Sequence, residues 1–261
     1  MADLEYSIAD GIGTIRLNRP ERKNAFTLEM VGRWAEVLTG ARTDPDVRVL
    51  VLTGAGDAFC SGVDLERRNE GMPPTPLARK QVLSDHVHRI PLALEDLDKP
   101  VIAAINGVAV GAGLDMALMC DMRVMARSAR MSEGYIRAGL LPGDGGCYYL
   151  PRLVGVPRAL ELLLTGDFID AAEASRIGLV NRVVDDAELD NTVTALARKI
   201  ADGPPAVVRM VKRATYQSLN TDLRTSLDLI SSHTGVVALM QDSAEAMAAF
   251  REKRKPHFTG S

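Results

Sequence analysis

The chain has 261 residues, 46% of them hydrophobic and 25% charged, with a formal net charge of −3. This is the balance of one globular unit with a sizeable core, and it excludes a disordered or fibrous chain. The slight acidity gives no general pull toward nucleic acid or anionic membrane, so neither partner is expected and any polyanion site has to be local.

The opening MADLEYSIAD carries acids and no apolar signal core, and no apolar run approaches the length of a membrane span, so a soluble cytoplasmic protein is expected. EYSIADGIGTIRLNRP then alternates apolar and polar residues around Asp10 and Gly11, the pattern of a hairpin. Thr27 follows as the cap of a helix with the apolar stripe Val31, Trp34, Ala35 and Leu38. VRVLVLTGAG reads as a buried strand ending in glycines, and VIAAINGVAVGAG as another. His86 and His88 share a strand-like spacing, but no cysteine or carboxylate cluster near them completes a metal site, and none is expected. Cys60, Cys120 and Cys147 lie far apart, without paired or metal-type spacing, as reduced thiols do.

Strands separated by helical segments predict an α/β core. From about residue 188 the pattern is helical only, with Pro204 and Pro205 opening one helix and REKRKP closing the last. The expected division is a core over residues 1–195 and a C-terminal helical region over 196–261.

The glycine clusters fit none of the common nucleotide patterns. Gly107, Gly111 and Gly113 do not spell the dinucleotide fingerprint, and no phosphate loop ends in Gly-Lys-Ser or Gly-Lys-Thr. Ser61 lacks the glycine two places earlier that a strained serine turn needs. Two glycine-flanked turns remain, CSGVDL at 60 to 65 and AVGAGLDMA at 109 to 117, each after a β-type run. Backbone N–H groups in a first helical turn have no intrahelical partner and suit an oxyanion. Those of Val63 and Ala112, aimed at one point, would stabilise the negative oxygen of a thioester enolate. Asp115 lies one turn beyond Ala112, either flanking a substrate held there or pairing with an arginine. Further on, RMSEGYIRAGLLPGDGGCYYL at 130 to 150 places Asp144 in a bend of glycines with Tyr135 upstream. Three roles stay open for Asp144: an acid–base group, a shaper of the pocket, or a cap for the helix starting near Cys147.

RKNAF at 22 to 26, AFCSGVDL at 58 to 65, INGVAVGAGLDMALMCDMRV at 105 to 124, GLLPGDGG at 139 to 146 and LTGDFIDAAEASRIGLVNRVV at 164 to 184 together resemble the crotonase superfamily, the enoyl-CoA hydratase/isomerase family, in order and spacing. The resemblance implies an α/β spiral of repeated ββα units with a C-terminal helical region that serves trimerisation, often as a dimer of trimers. It implies an acyl-CoA thioester substrate, such as a 2-enoyl-CoA of fatty acid metabolism, with no metal or redox cofactor and coenzyme A present only as part of the substrate. The N–H groups of Val63 and Ala112 form the implied oxyanion hole. Arg22, Lys23 and Ala25 fall on the family's CoA-contacting segment, while Lys255 and Phe258 of the tail would reach the same CoA or a neighbouring subunit's. NEGMPPTPLARK at 69 to 80 would supply part of the acyl pocket wall.

The family's two hydratase glutamates align with Asp115 and Tyr135. Aspartate at 115 keeps the acid and retracts it by one methylene, on the order of 1.5 Å. Tyrosine at 135, with an ordinary pKa near 10, is a weak base that can still donate a hydrogen bond. Some isomerases and dehalogenases of the family carry a working aspartate in this bend, aligned with Gly143, which makes Asp144 the candidate second acid. The first expectation is hydration of 2-enoyl-CoA, with a one-base double-bond isomerase as the alternative. A non-catalytic or RNA-binding member is the alternative of another class.

Overall fold

The computed structural model describes residues 2–64, 66 and 74–261. Leu65 and the first part of the expected acyl-pocket wall, residues 69–73, lie outside that set.

β1 (Leu4–Ala9) and β2 (Ile12–Leu17) form the expected antiparallel hairpin, turned at Asp10 and Gly11, both at positive φ. Two successive left-handed residues match the right-handed twist of the flanking strands. α1 (Leu28–Thr43) starts where Thr27 accepts a hydrogen bond from the Met30 N–H, and it buries Val31, Trp34, Ala35 and Leu38.

Three ββα units follow. The first is β3 (Val49–Gly54), β4 (Ala58–Cys60) and the helices α2 (Pro76–Val82) and α3 (Arg89–Asp96). The second is β5 (Val101–Ile105), β6 (Val108–Val110) and α4 (Ala112–Leu118); the third is β7 (Met122–Ala126), β8 (Arg130–Ser132) and the helices α5 (Gly146–Val154) and α6 (Val156–Thr165). β9 (Ile169–Asp170), α7 (Ala171–Arg176) and β10 (Arg182–Val184) close the core. The first strand of each unit enters one sheet, ordered β1-β2-β3-β5-β7-β10, and the second enters another, ordered β4-β6-β8-β9. β3, β5 and β7 run parallel, as do β4, β6 and β8. The chain therefore winds as a spiral between two sheets.

VIAAINGVAVGAG is not one strand, as its apolar run suggested, but β5 and β6 in different sheets. The step between them falls at Asn106 and Gly107. Asn106 Nδ2 donates to the carbonyls of Gly54, Gly56 and Ala58 at 3.0, 3.0 and 3.1 Å. A Cβ on Gly107 would sit 2.1 Å from the Asp57 carbonyl oxygen, so only glycine lets the crossing come this close. The spacing of His86 and His88 also misleads. Both lie in a helical stretch, His86 in the π-helical turn Leu83–Val87 and His88 just before α3.

The helical C-terminal part is α8 (Leu189–Ala201), α9 (Pro205–Ser218), α10 (Leu223–Val237) and α11 (Gln241–Glu252). α8 buries Leu189, Val193, Ala197 and Ala201 against β2, β3, β5 and β7, so the expected boundary near residue 195 falls inside a helix that packs on the core. α9 buries only Ala214 and is pinned instead by polar groups. Lys212 Nζ pairs with Asp121 at 2.8 Å and donates to the Lys99 carbonyl at 2.9 Å, and Arg209 pairs with Asp98 at 2.8 Å. α10 buries no residue at all. Among the described residues, no helix is long and apolar enough to cross a membrane.

Candidate active site

β4, β6 and β8 are parallel, so their C-terminal ends lie along one edge of the smaller sheet, where ligand sites of parallel α/β sheets form. Val63 follows β4, Ala112 and Asp115 follow β6, and Glu133, Tyr135 and Asp144 follow β8. Residues distant in sequence thus meet at one rim.

The segment at residues 22 to 26 lies against the loop after β4. Phe26 and Val63 form a single parallel bridge in which the Phe26 N–H donates to Gly62 and the Asp64 N–H donates to Phe26. Backbone alternation then turns the Val63 N–H away from Phe26. Gly62, at φ +95, is pressed against the next turn: a Cβ there would sit 2.9 Å from Val110 O and 3.5 Å from Ala112 N. A Cβ on Gly113 would sit 2.2 Å from the Cys60 carbonyl oxygen. The two glycines let the loop after β4 dock on the first turn of α4, where the Ala112 N–H has no intrahelical acceptor.

Lys23 and Asn24 both adopt positive φ, which costs a residue with a Cβ. Asn24 holds the turn from within: its Oδ1 accepts from the Arg19 N–H at 2.9 Å, and its Nδ2 donates to Ala55 and Ala58 at 2.8 and 2.7 Å. Arg19 pairs with buried Asp64 at 2.9 Å and donates to the Ala25 carbonyl at 2.6 Å, setting Ala25 beside the loop. Arg22 and Lys23 extend outward and pair with Glu66 and Asp57 at 2.8 and 2.5 Å. Lys255 and Phe258 lie elsewhere, around the opening turn of β2: Lys255 pairs with Asp202, and Arg48, which follows the hairpin in space, donates to the Phe258 carbonyl. β2 separates them from residue 22 by roughly 20 Å at about 3.3 Å per residue. The tail therefore lies toward the opposite end of β2 from the segment at residues 22 to 26.

At the centre, Asp115 is fully buried and Tyr135 and Asp144 nearly so. The Tyr135 hydroxyl lies 2.6 Å from Asp115 Oδ2 and 2.8 Å from Asp144 Oδ2. Among the described residues, no arginine pairs with Asp115. Nor does Asp144 cap the following helix: α5 starts after Gly145, at φ +122, with no side-chain cap, and the Asp144 carboxyl turns to Tyr135 instead. A phenol carries one proton. Both contacts are hydrogen bonds only if one of the two carboxyls holds a proton and donates it to the phenol oxygen.

Burial pushes the Asp115 pKa up to about 7 against the Tyr135 hydrogen bond, with the Asp144 charge adding to the rise. Asp144 is also raised, by burial first, with the Tyr135 hydrogen bond and nearby His88 opposing. Tyr135 itself is raised by burial and by the two acids, which keeps it a neutral donor. A raised carboxyl contributes stability that is complete below its unfolded pKa near 4 and is lost as pH rises through its folded value. For Asp115 that loss spans about pH 4 to 7.

Three residues of this site escaped the sequence reading. Asn24 carries the first turn. His88 Nε2 donates to the Gly143 carbonyl at 2.9 Å, the only sense a carbonyl allows, and so ties the glycine bend to the start of α3. Glu133 is buried beside Asp115. Its place directly after β8, two residues before Tyr135, was the available signal.

A family model described as Enoyl-CoA hydratase/isomerase matches residues 7–261. This chain belongs to the enoyl-CoA hydratase/isomerase family. It is 40% identical to the 1,2-epoxyphenylacetyl-CoA isomerase of Escherichia coli, over 97% of each chain. It is 37% identical to the short-chain-enoyl-CoA hydratase of Clostridium acetobutylicum, over 94% of this chain and 92% of that one. The crystal structure of an enoyl-CoA hydratase from Bacillus anthracis superposes with a TM-score of 0.94 at 35% identity, covering each chain completely. As a member of the family the chain is an acyl-CoA hydratase/isomerase, and the spiral of ββα units is the crotonase fold. Among the described residues, no group of three or more His, Cys, Asp or Glu side chains is placed to hold a metal ion.

Proposed function

We propose that this enzyme hydrates 2-enoyl-CoA thioesters, with Asp115 and Asp144 as the proton-transfer pair and the N–H groups of Val63 and Ala112 as the oxyanion hole. The observation that carries the reading is the Tyr135 hydroxyl bridging two buried carboxyls, beside the two glycine-docked turns. The thioester oxygen takes the two N–H groups, so negative charge developing at that oxygen meets fixed dipoles. One carboxyl takes a proton from water as it attacks the β-carbon, and the other delivers a proton to the α-carbon. The chemistry draws on no cofactor beyond the CoA of the substrate. Arg22 and Lys23 face the CoA phosphates once they exchange their acidic partners, and the Ala25 backbone faces the adenine.

A second reading, shift of the double bond between 3-enoyl- and 2-enoyl-CoA, is favoured by one detail. The phenol oxygen of Tyr135 occupies the place between the acids where a hydratase would hold water. Purified protein assayed with crotonyl-CoA and a 3-enoyl-CoA separates the two. Hydration is expected to dominate, with kcat/KM rising as pH passes about 7 and Asp115 ionises. Isomerisation without water addition overturns the first reading in favour of the second, and turnover of neither substrate overturns both.

The C-terminal helices serve assembly in this proposal, as a trimer or a dimer of trimers in the cytoplasm. Leu219, Leu223, Leu227, Ile230, Val236 and Leu239 are exposed on one chain, far more apolar surface than an ordinary solvated helix carries. In such an assembly Lys255 and Phe258 contact a neighbouring subunit's CoA. Light scattering is expected to return roughly three or six times the 28.2 kDa chain mass, and the mass of a single chain at micromolar concentration overturns it.

A further inference from the structure

Glu133 lies at the end of β8, 2% exposed, and neither of its carboxyl oxygens has a hydrogen-bond partner. Asp115 Oδ1 is likewise buried and unpartnered. Both groups lie against Gly146, where a Cβ would sit 2.5 Å from Asp115 Oδ1 and 3.0 Å from Glu133 Oε2. Three orphaned oxygens at one buried point are costly, and two ionised carboxylates there would cost more still. Among the described residues no lysine or arginine faces them. The titratable groups there are Asp115 on α4, Tyr135 on the segment after β8, Asp144 on the glycine bend, and Cys147 and Tyr149 on α5, with His88 beyond Asp144.

We propose that Glu133 is a positioning residue of the reaction: as a neutral carboxylic acid it donates a hydrogen bond to Asp115 Oδ1 and so makes Asp115 the ionised member of the cluster. The inference rests on the reading of Asp115 as a proton-transfer group. One proton between Oε2 and Oδ1 satisfies two of the three orphaned oxygens. It also settles an ambiguity that Tyr135 leaves open. The phenol proton can point to either aspartate, and with Glu133 already donating to Asp115, the consistent order directs Tyr135 to Asp115 Oδ2 and a protonated Asp144 to the Tyr135 oxygen. Two donors then converge on Asp115, a third supports the phenol, and the only anion is Asp115. The base and the acid of the pair are thereby assigned, to Asp115 and Asp144. Burial, followed by the charge of Asp115, pushes the Glu133 pKa well up, as a neutral acid at this place requires.

Infrared difference spectroscopy between the wild type and Glu133→Gln, on unliganded protein at about pH 8, tests the proton directly. The wild type is expected to show a carboxylic-acid C=O band that Glu133→Gln lacks, and no such band in the difference overturns the proposal. The pH dependence of kcat/KM tests the function. Glutamine keeps a donor, so the acidic limb stays near that of the wild type. Glu133→Leu removes it, and the limb moves up by about one to two pH units, the 10- to 100-fold change in acidity that loss of a hydrogen bond to a charged group brings. A limb unmoved in Glu133→Leu, with altered thermal stability alone, marks a purely structural residue and overturns the proposal. If no enoyl-CoA is turned over, the functional reading fails while the infrared result still decides the proton.

Discussion

Asp115→Asn and Asp144→Asn are each expected to lower kcat by about 10²- to 10⁴-fold, the usual cost of a lost acid–base group, while their double variant loses little more. The reason is the shared hydroxyl: the two carboxyls contact one phenol at 2.6 and 2.8 Å, so in the proposed mechanism they act through a single buried cluster. Removing either acid interrupts the same path, so the second removal has little left to interrupt. Asparagine preserves shape and a donor at 144 but has no proton to transfer, which separates chemistry from packing. Tyr135→Phe should cost less than either, because it deletes the bridge and leaves both acids. Steady-state rates of the four variants on the enoyl-CoA that the wild type turns over make the measurement. Losses that simply multiply would show two independent acids and end the pair. A wild-type rate in Asp144→Asn would leave Asp115 as a lone base and favour isomerisation.

Gly113→Ala is expected to lower kcat by about 10²- to 10³-fold, as loss of an oxyanion donor does. Its new methyl group would stand 2.2 Å from the Cys60 carbonyl oxygen, a backbone atom with nowhere to go. The loop after β4 and the first turn of α4 must separate, and with them the Val63 and Ala112 N–H groups. The same clash should reduce stability by about 1–3 kcal/mol, read from the denaturant midpoint. Gly40→Ala is the control. Gly40 lies inside α1 with nothing within 4 Å of a new Cβ, so alanine there should leave the rate intact and add up to about 1 kcal/mol of helix stability. A Gly113→Ala enzyme with normal kcat would remove these N–H groups from the reaction.

The elements whose signals are local were legible in the sequence. The Asp10-Gly11 hairpin and the Thr27 cap depend on a few adjacent residues, and both are found as expected. The break at Asn106 and Gly107 was hidden because β5 and β6 are both apolar, and a continuous apolar run carries no periodicity to mark a change of sheet. Asp115 and Asp144 stood out by their glycine-rich turns, the family resemblance aligned Asp115 and Tyr135 with the two hydratase glutamates, and the structure brings all three together. Composition left Asp144 divided between capping a helix and facing the site, because only the path of the bend decides which way a carboxyl turns. Glu133 was passed over for a related reason: a glutamate between serine and glycine looks like surface until the third unit folds back on α4. The tail at Lys255 and Phe258 packs by Asp202 and Arg48, a placement its basic and aromatic sequence does not reveal by itself.

The spiral also determines when the site can exist. Val63, Asp115 and Asp144 belong to three successive turns, and each reaches the rim only after the strand before it has paired with its neighbour from the previous turn. Such pairings close long loops before any contact rewards them, which makes folding slow and leaves little local structure to build on. No fragment with one or two turns holds both oxyanion donors together with the acid pair. Recovery of turnover during refolding should therefore lag the burial of Trp34, which lies in α1 ahead of all three units, and the lag is the time the last turn needs to dock.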